Sequence, residues 1–159
     1  MRRSTRRILV VTMLRDQISE DMRAAMKARE QTRVGTLRML MAAVKNSEVE
    51  RGRALDDDEV LDAITREAKR RRESIDAFTK GGRDELVAKE TAELAVLESY
   101  LPAALTEAEL AALVDEAIAE AGATDPKQMG VVMKVLVPKI RGRADGGAVS
   151  ALVRARLGA

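Results

Sequence analysis

The sequence DPKQMGVVMKVLVPKIRGRADGGAVSALVRARL, residues 125–157, predicts two short helices joined by a turn. Asp125 can cap a helix, and Pro126 suits the first helical position, where no backbone N–H is needed. Apolar residues then recur at helical spacing up to Pro138, which we expect to end the helix because the residue before a proline avoids the α region. The Asp145-Gly146-Gly147 run predicts the turn, with Asp145 capping the last helix.

The same stretch concentrates positive charge. Residues 127–159 hold seven basic side chains and one acidic side chain, whereas residues 13–126 hold 17 basic and 25 acidic ones, and residues 1–12 contain four arginines and no acid. A local basic surface attracts polyanions even though the net charge of the chain is only +2. We therefore predict phosphate contacts near the turn from four residues: Lys134, Lys139, Arg141 and Arg143.

Composition and periodicity indicate an all-α, multihelical fold. Aromatic residues make up 1% of the chain and apolar residues 46%, so the core must be built from Leu, Val, Ile, Met and Ala, which suits helices. No strand-like alternation is present. Before the stretch quoted above, helical spacing predicts five further helices, at roughly 14–30, 34–50, 56–81, 84–101 and 106–122.

Two of these helices have clear start signals. Asp56 with Glu59, and Thr106 with Glu109, have the spacing of capping boxes. The acidic run 56–59 is better explained as favourable charge at a helix N-terminus than as a metal site. We expect no bound metal.

The segment around Pro102 is the best boundary between two parts. We expect residues 1–12 to be a disordered extension, residues 13–102 an N-terminal helical domain and residues 103–159 a C-terminal domain of three small helices. No run of about 18 apolar residues is present, so no membrane span is predicted.

A run of four basic residues lies in the third predicted helix, within EAKRRRES at 67–74. One interpretation is a solvated helix face with the i,i+4 ion pairs Glu67–Arg71 and Lys69–Glu73. The other is a phosphate-binding stripe formed by Lys69, Arg70 and Arg72. Arg71 falls in the apolar register, so its stem is expected to pack on the core.

The residues give little support for catalysis. The chain has no histidine to activate a serine and no cysteine. No glycine-rich phosphate-binding motif is present either. We predict no catalytic residue and no cofactor. With so few aromatics for base stacking, any nucleic-acid contact would be made to the phosphate backbone, without specificity for DNA.

Several motifs taken together resemble a known family. They are LRML at 37–40 with Ala43, Lys45-Asn46 and Glu48; EAKRRRESI at 67–75 with Phe78 and Gly82-Arg83; Lys89-Glu90; Tyr100-Leu101-Pro102; Gly122-Ala123; Met129-Gly130 with Val132-Met133; Pro138-Lys139; and Gly142-Arg143-Ala144-Asp145-Gly146. This set, spread over residues 13–157, is similar to the YqeY-like proteins of the GatB/YqeY family.

The resemblance implies a two-part helical fold and kinship with the tail region of the GatB component of the tRNA-dependent amidotransferase. That enzyme is a carbon–nitrogen ligase with glutamine as amido donor. Its tail region binds tRNA, and its chemistry lies in a catalytic domain that this chain lacks. The resemblance thus implies a cytoplasmic protein of translation with tRNA or another RNA as partner.

Three functions stay open at this point. The first is an RNA-binding accessory module. The second is a protein-interaction module that docks on an amidotransferase or an aminoacyl-tRNA synthetase, through its acidic N-terminal region and the groove between its two parts. The third is an enzyme, which glutamine-dependent amide transfer on mischarged tRNA would establish.

Overall fold

The structure is a computed structural model that describes residues 13–158, and within this range it is all-helical, as predicted. The predicted disordered extension 1–12 lies outside the described residues. The helices are α1 (Leu14–Ala28), α2 (Gln31–Arg51), α3 (Asp57–Lys80), α4 (Asp84–Glu98), α5 (Glu107–Ala121), α6 (Met129–Ile140) and α7 (Gly146–Arg156), with a 3-10 turn at Pro126–Gln128 before α6. None of the described helices is both long and apolar enough to cross a membrane.

The buried side chains form two separate clusters. The first joins α1, α2, α3 and α4 around Ile18, Leu40 and Ile64. The second joins α5, α6 and α7 around Leu136 and Val149. Each pair of described helices in extensive contact belongs to the same cluster. The assignment of two domains divided near residue 102 stays a prediction, but these clusters are the feature on which it depends.

The two predicted capping boxes are confirmed. Asp56 accepts a hydrogen bond from the Glu59 amide while the Glu59 side chain accepts one from the Asp56 amide, which closes a capping box at α3. Thr106 and Glu109 form the same box at α5. The observed ends differ from prediction by a few residues: α2 begins at Gln31 rather than at residue 34, and α4 ends at Glu98 rather than at residue 101.

The prediction that Pro138 ends a helix is wrong, because α6 continues through it to Ile140. A proline in the last turn removes only its own N–H, so the amides that follow it can still form helical hydrogen bonds. The amide of Arg141 donates to the carbonyl of Val137 (3.1 Å). Ile140 is only 3% exposed in the second cluster. Its burial stabilises the extra half-turn against the conformational preference of the residue before proline.

The connection between α4 and α5 packs against the loop between α6 and α7. The amide of Leu105 donates to the carbonyl of Arg143 (3.0 Å), and Nε of Arg143 donates to the carbonyl of Ala103 (3.0 Å). Gly142 has φ +74, and a Cβ there would lie 3.1 Å from Cδ of Pro102. Both the left-handed backbone and the close approach therefore require glycine at this position.

Candidate nucleic-acid interface

Two adjoining clefts, of about 550 and 300 Å³, lie between α3 and the α6–α7 loop. Both are lined by Lys69 from α3 and Asp145 from the loop. The five basic residues that line them are Arg66, Lys69, Arg72, Arg141 and Arg143, and the three acidic ones are Asp62, Glu98 and Asp145. Four predicted phosphate contacts from two distant parts of the sequence thus meet at one place.

Asp145 is the centre of the clefts. Its carboxylate caps α7, as predicted, by accepting from the amides of Gly147 (3.4 Å) and Ala148 (3.2 Å). The Lys69 ammonium donates to both of its oxygens (3.3 Å each). Partial burial opposes ionisation of the carboxyl, but the Lys69 charge and the two amides together hold the pKa of Asp145 below its usual value.

Arg141 links α6 to α3. Its NH1 group donates to Asp58 (2.9 Å), and its Nε lies 3.3 Å from a carboxylate oxygen of Asp62. The side chain is 28% exposed. The arginine therefore joins the two clusters electrostatically and presents less free charge to solvent than the sequence suggests.

Three more of the predicted phosphate contacts have carboxylate partners. The pairs are Arg72–Glu98 (3.1 Å), Arg70–Glu67 (3.2 Å) and Lys139–Glu120 (3.2 Å). With Lys69 and Arg141, five of the seven predicted residues are in ion pairs. Arg143 binds a backbone carbonyl, and Lys134 is exposed without an ion pair in the part of the chain that the structure describes. RNA contact by these seven residues stays a prediction.

Arg71 is packed between α3 and α4. Its side chain is 12% exposed, and its NH1 group lies 3.2 Å from both Glu90 and Glu93. The predicted partial burial of Arg71 is confirmed. The predicted pair Glu67–Arg71 is wrong, because the two α4 carboxylates hold the arginine across the helix interface.

The predicted pair Lys69–Glu73 is also wrong, since Lys69 reaches across to Asp145. Tertiary partners have here replaced the neighbours one turn along the helix. Ion pairs along an exposed helix face contribute only about 0.3–0.5 kcal/mol each, so a partner on another element easily displaces them.

A second basic surface was missed from the sequence. Residues 22–47, at the end of α1 and along α2, contain six basic side chains and one acidic one. Within the described residues only Arg33 of this set has an ion pair, with Asp21 at 3.9 Å. The charge of the whole segment 13–126 is negative, and that average conceals the basic stretch. A count over a shorter window is the signal that reveals it.

Comparison with known proteins gives a family match over most of the chain. The model of the family described as Yqey-like protein matches residues 15–157. A relative from Eremothecium gossypii, named "Altered inheritance of mitochondria protein 41, mitochondrial", is 40% identical over 67% of this chain and 60% of its own length. Proteins of the same name from Lachancea thermotolerans and Saccharomyces cerevisiae are 32% identical (69% of this chain, 60% of theirs) and 30% identical (51% and 44%). The chain thus spans about three fifths or less of the length of these relatives.

The predicted cytoplasmic location is corrected by this comparison. These relatives are named as mitochondrial proteins, and the expectation of a cytoplasmic protein is therefore wrong.

Proposed function

Because the chain belongs to the family of YqeY-like proteins, we propose that it is an RNA-binding accessory module with tRNA as its ligand. The resemblance drawn from its motifs is confirmed by the family match. The kinship with the tail region of the amidotransferase, which that resemblance implies, supports tRNA as the ligand. The proposal includes no catalytic step. The names of the relatives do not mention RNA, so the proposal depends on the charges of this chain.

The observation that carries the proposal is the meeting of basic side chains at the clefts. Lys69 and Arg72 from α3 face Arg143 from the α6–α7 loop across a space of about 550 Å³. The ion pairs that now hold these cations are partly exposed: Lys69 and Asp145 retain 47% and 40% of their side-chain exposure. Exposed pairs are worth about 0–1 kcal/mol, so a phosphate can replace the carboxylate at little cost.

The test is tRNA binding measured at several salt concentrations, from about 50 to 300 mM. Phosphate contacts release counterions, so log K should fall linearly with log salt, by roughly 0.7–0.9 per contact. Absence of binding at low salt, or an affinity that ignores salt, would rule the proposal out.

A pair of matched variants tests the two predicted contacts that lie on α6, outside the lining of the clefts. Lys134→Ala with Lys139→Ala should flatten the salt slope by about 1.5, because two phosphate contacts are lost. The control, Lys80→Ala with Lys89→Ala, removes the same charge from exposed positions around the α3–α4 turn and should leave the slope unchanged. Equal effects of the two double variants would show that only overall charge matters.

The alternative, docking on an amidotransferase or a synthetase, makes a different prediction. Association with either protein should then survive RNase treatment, whereas an association bridged by tRNA should not.

A further inference from the structure

The end of α1 and the adjoining part of α2 form a notch that the proposed RNA contacts do not use. It is a depression of about 470 Å³, and its lining residues are Met26, Arg29, Gln31, Val34, Gly35 and Arg38. We propose that this notch docks an acidic amphipathic helix of a partner protein. An apolar side chain of that helix would enter between Met26 and Val34, and its carboxylates would pair with Arg29 and Arg38.

The charge of the surrounding surface defines the partner as acidic. Residues 22–47 carry six basic side chains, namely Arg23, Lys27, Arg29, Arg33, Arg38 and Lys45, and one acidic side chain, Glu30. Elsewhere in the described chain most arginines are paired, but here five of the six basic side chains have no ion pair within residues 13–158. Unpaired charge of one sign favours a partner of opposite charge and disfavours partners of like charge.

The apolar floor of the notch indicates a protein rather than a nucleic acid. Met26 is 51% exposed, and it lines the notch together with the partly buried Val34. Exposed methionine and arginine together are typical of the centres of protein interfaces. RNA held through its phosphates would need only the cations and would leave the apolar side chains Met26 and Val34 without a partner.

The backbone of Arg29 is a second observation that points to a ligand. Arg29 ends α1 with φ +59, and it is the one residue other than glycine with positive φ in the range 13–158. Glycine is the preferred residue at such a helix end, since a Cβ strains the left-handed backbone. Strained positions of this kind cluster at binding sites, and here the strain places a guanidinium at the rim of the notch.

Gly35 is a third observation. It lies within α2, where alanine would form a better helix, and a Cβ there would meet no atom within 4 Å. The fold itself therefore does not require a glycine at this position. A bare backbone on the floor of the notch does allow another helix to approach closely.

The experiment begins with a displayed library of random 16-residue peptides selected on the full chain. Enriched sequences are synthesised with a fluorophore, and their affinities are measured by fluorescence anisotropy. We expect enriched peptides to combine at least one large apolar side chain with two or more acidic residues. Peptides without acidic residues, or no enrichment at all, would overturn the proposal.

Arg38→Ala and its matched control locate the site. Arg38→Ala should weaken peptide binding by about thirtyfold, the lower limit for an interface hot spot. Arg154→Ala removes the same charge from an exposed position of α7 that also lacks an ion pair in the described chain, and it should leave peptide affinity unchanged. An equal loss in both variants would overturn the assignment to the notch.

Two further variants separate binding from folding. Arg29→Gly and Gly35→Ala should each raise the melting temperature and each weaken peptide binding severalfold, because each improves the free fold at the expense of the contact. A purely structural role would not raise the melting temperature and weaken peptide binding in the same variant. Unchanged peptide affinity in both would refute the docking site.

The same variants distinguish this proposal from RNA binding. Arg38→Ala should leave tRNA affinity intact, whereas Lys134→Ala with Lys139→Ala should reduce tRNA affinity and leave peptide binding intact. If Arg38→Ala weakens tRNA binding and no peptide is selected, the notch is an RNA surface. If the free chain forms oligomers that Arg38→Ala dissociates, a second copy is the occupant. Either result would overturn the proposal.

Discussion

Asp145→Asn is expected to strengthen RNA binding, which makes it a sharper test of the clefts than any loss of function. The carboxylate of Asp145 holds Lys69 at 3.3 Å and adds a negative charge to the surface that we propose for phosphate. Asparagine caps a helix about as well as aspartate, so the amides of Gly147 and Ala148 keep a side-chain acceptor. The substitution therefore removes the charge and leaves the start of α7 intact.

The magnitude follows from one additional phosphate contact. If Lys69 is released from Asp145 and takes a phosphate, the salt slope should steepen by about 0.9, which corresponds to roughly eightfold tighter binding at 0.1 M salt. The cost in stability should be small, about 0.2–1 kcal/mol, because the lost ion pair is nearly half exposed.

The assay is tRNA affinity across a salt series, with urea unfolding as the measure of stability. Asp125→Asn is the control: it makes the same charge change at another exposed capping residue, which lies outside the clefts. Adding Lys69→Met to Asp145→Asn should abolish the gain. An affinity and slope for Asp145→Asn equal to those of Asp125→Asn would refute the assignment of phosphate to these clefts.

Three other predictions concern stability. Arg71→Ala should cost about 3–5 kcal/mol in urea unfolding, because it leaves Glu90 and Glu93, which are 14% and 12% exposed, without their counterion. Leu136→Ala should lower the free energy of unfolding by about 2–5 kcal/mol. Hydrogen exchange should show reduced amide protection in α5, α6 and α7, while the amides of α1 to α4 stay protected. An equal loss of protection in both clusters would contradict separate cores. Arg53 and the Asp56 amide lower the pKa of Glu59 from 4.5 to about 2. The stability that the ionised Glu59 contributes is therefore complete above pH 4.5 and is lost as the pH falls towards 2. Glu59→Gln should lack this pH-dependent loss of stability in acid unfolding.

Local signals predicted local structure well. The capping boxes at Asp56 and Thr106 lie where the spacing placed them, because each depends on residues three positions apart. Pro138 shows the limit of such signals. Its effect on the backbone is local, but the burial of Ile140 depends on α5 and α7, which a local rule does not include.

The ion pairs show the same limit more clearly. The sequence offered Arg71 a partner one turn away, at Glu67, but the structure gives it two carboxylates from α4, 19 and 22 positions along the chain. Lys69 pairs with Asp145, 76 positions away. A list of basic residues therefore overestimates the free charge of a surface, since the fold decides which of them are neutralised. The unpaired basic residues of α1 and α2 were missed for a different reason, because they lie in the segment 13–126, whose net charge is negative.

The ion pairs at the clefts connect binding to the arrangement of the two clusters. Lys69–Asp145 and Arg141 with Asp58 and Asp62 join α3 to the α6–α7 region, where the described helices make no extensive apolar contact across the clusters. A phosphate that takes Lys69 or Arg141 from its carboxylates would therefore remove part of what holds the clusters together. The proposed RNA contact and a change in the relative position of the clusters are then linked. Added salt should act on them in opposite directions, since it weakens the RNA contact and also weakens the exposed pairs that hold the clusters together.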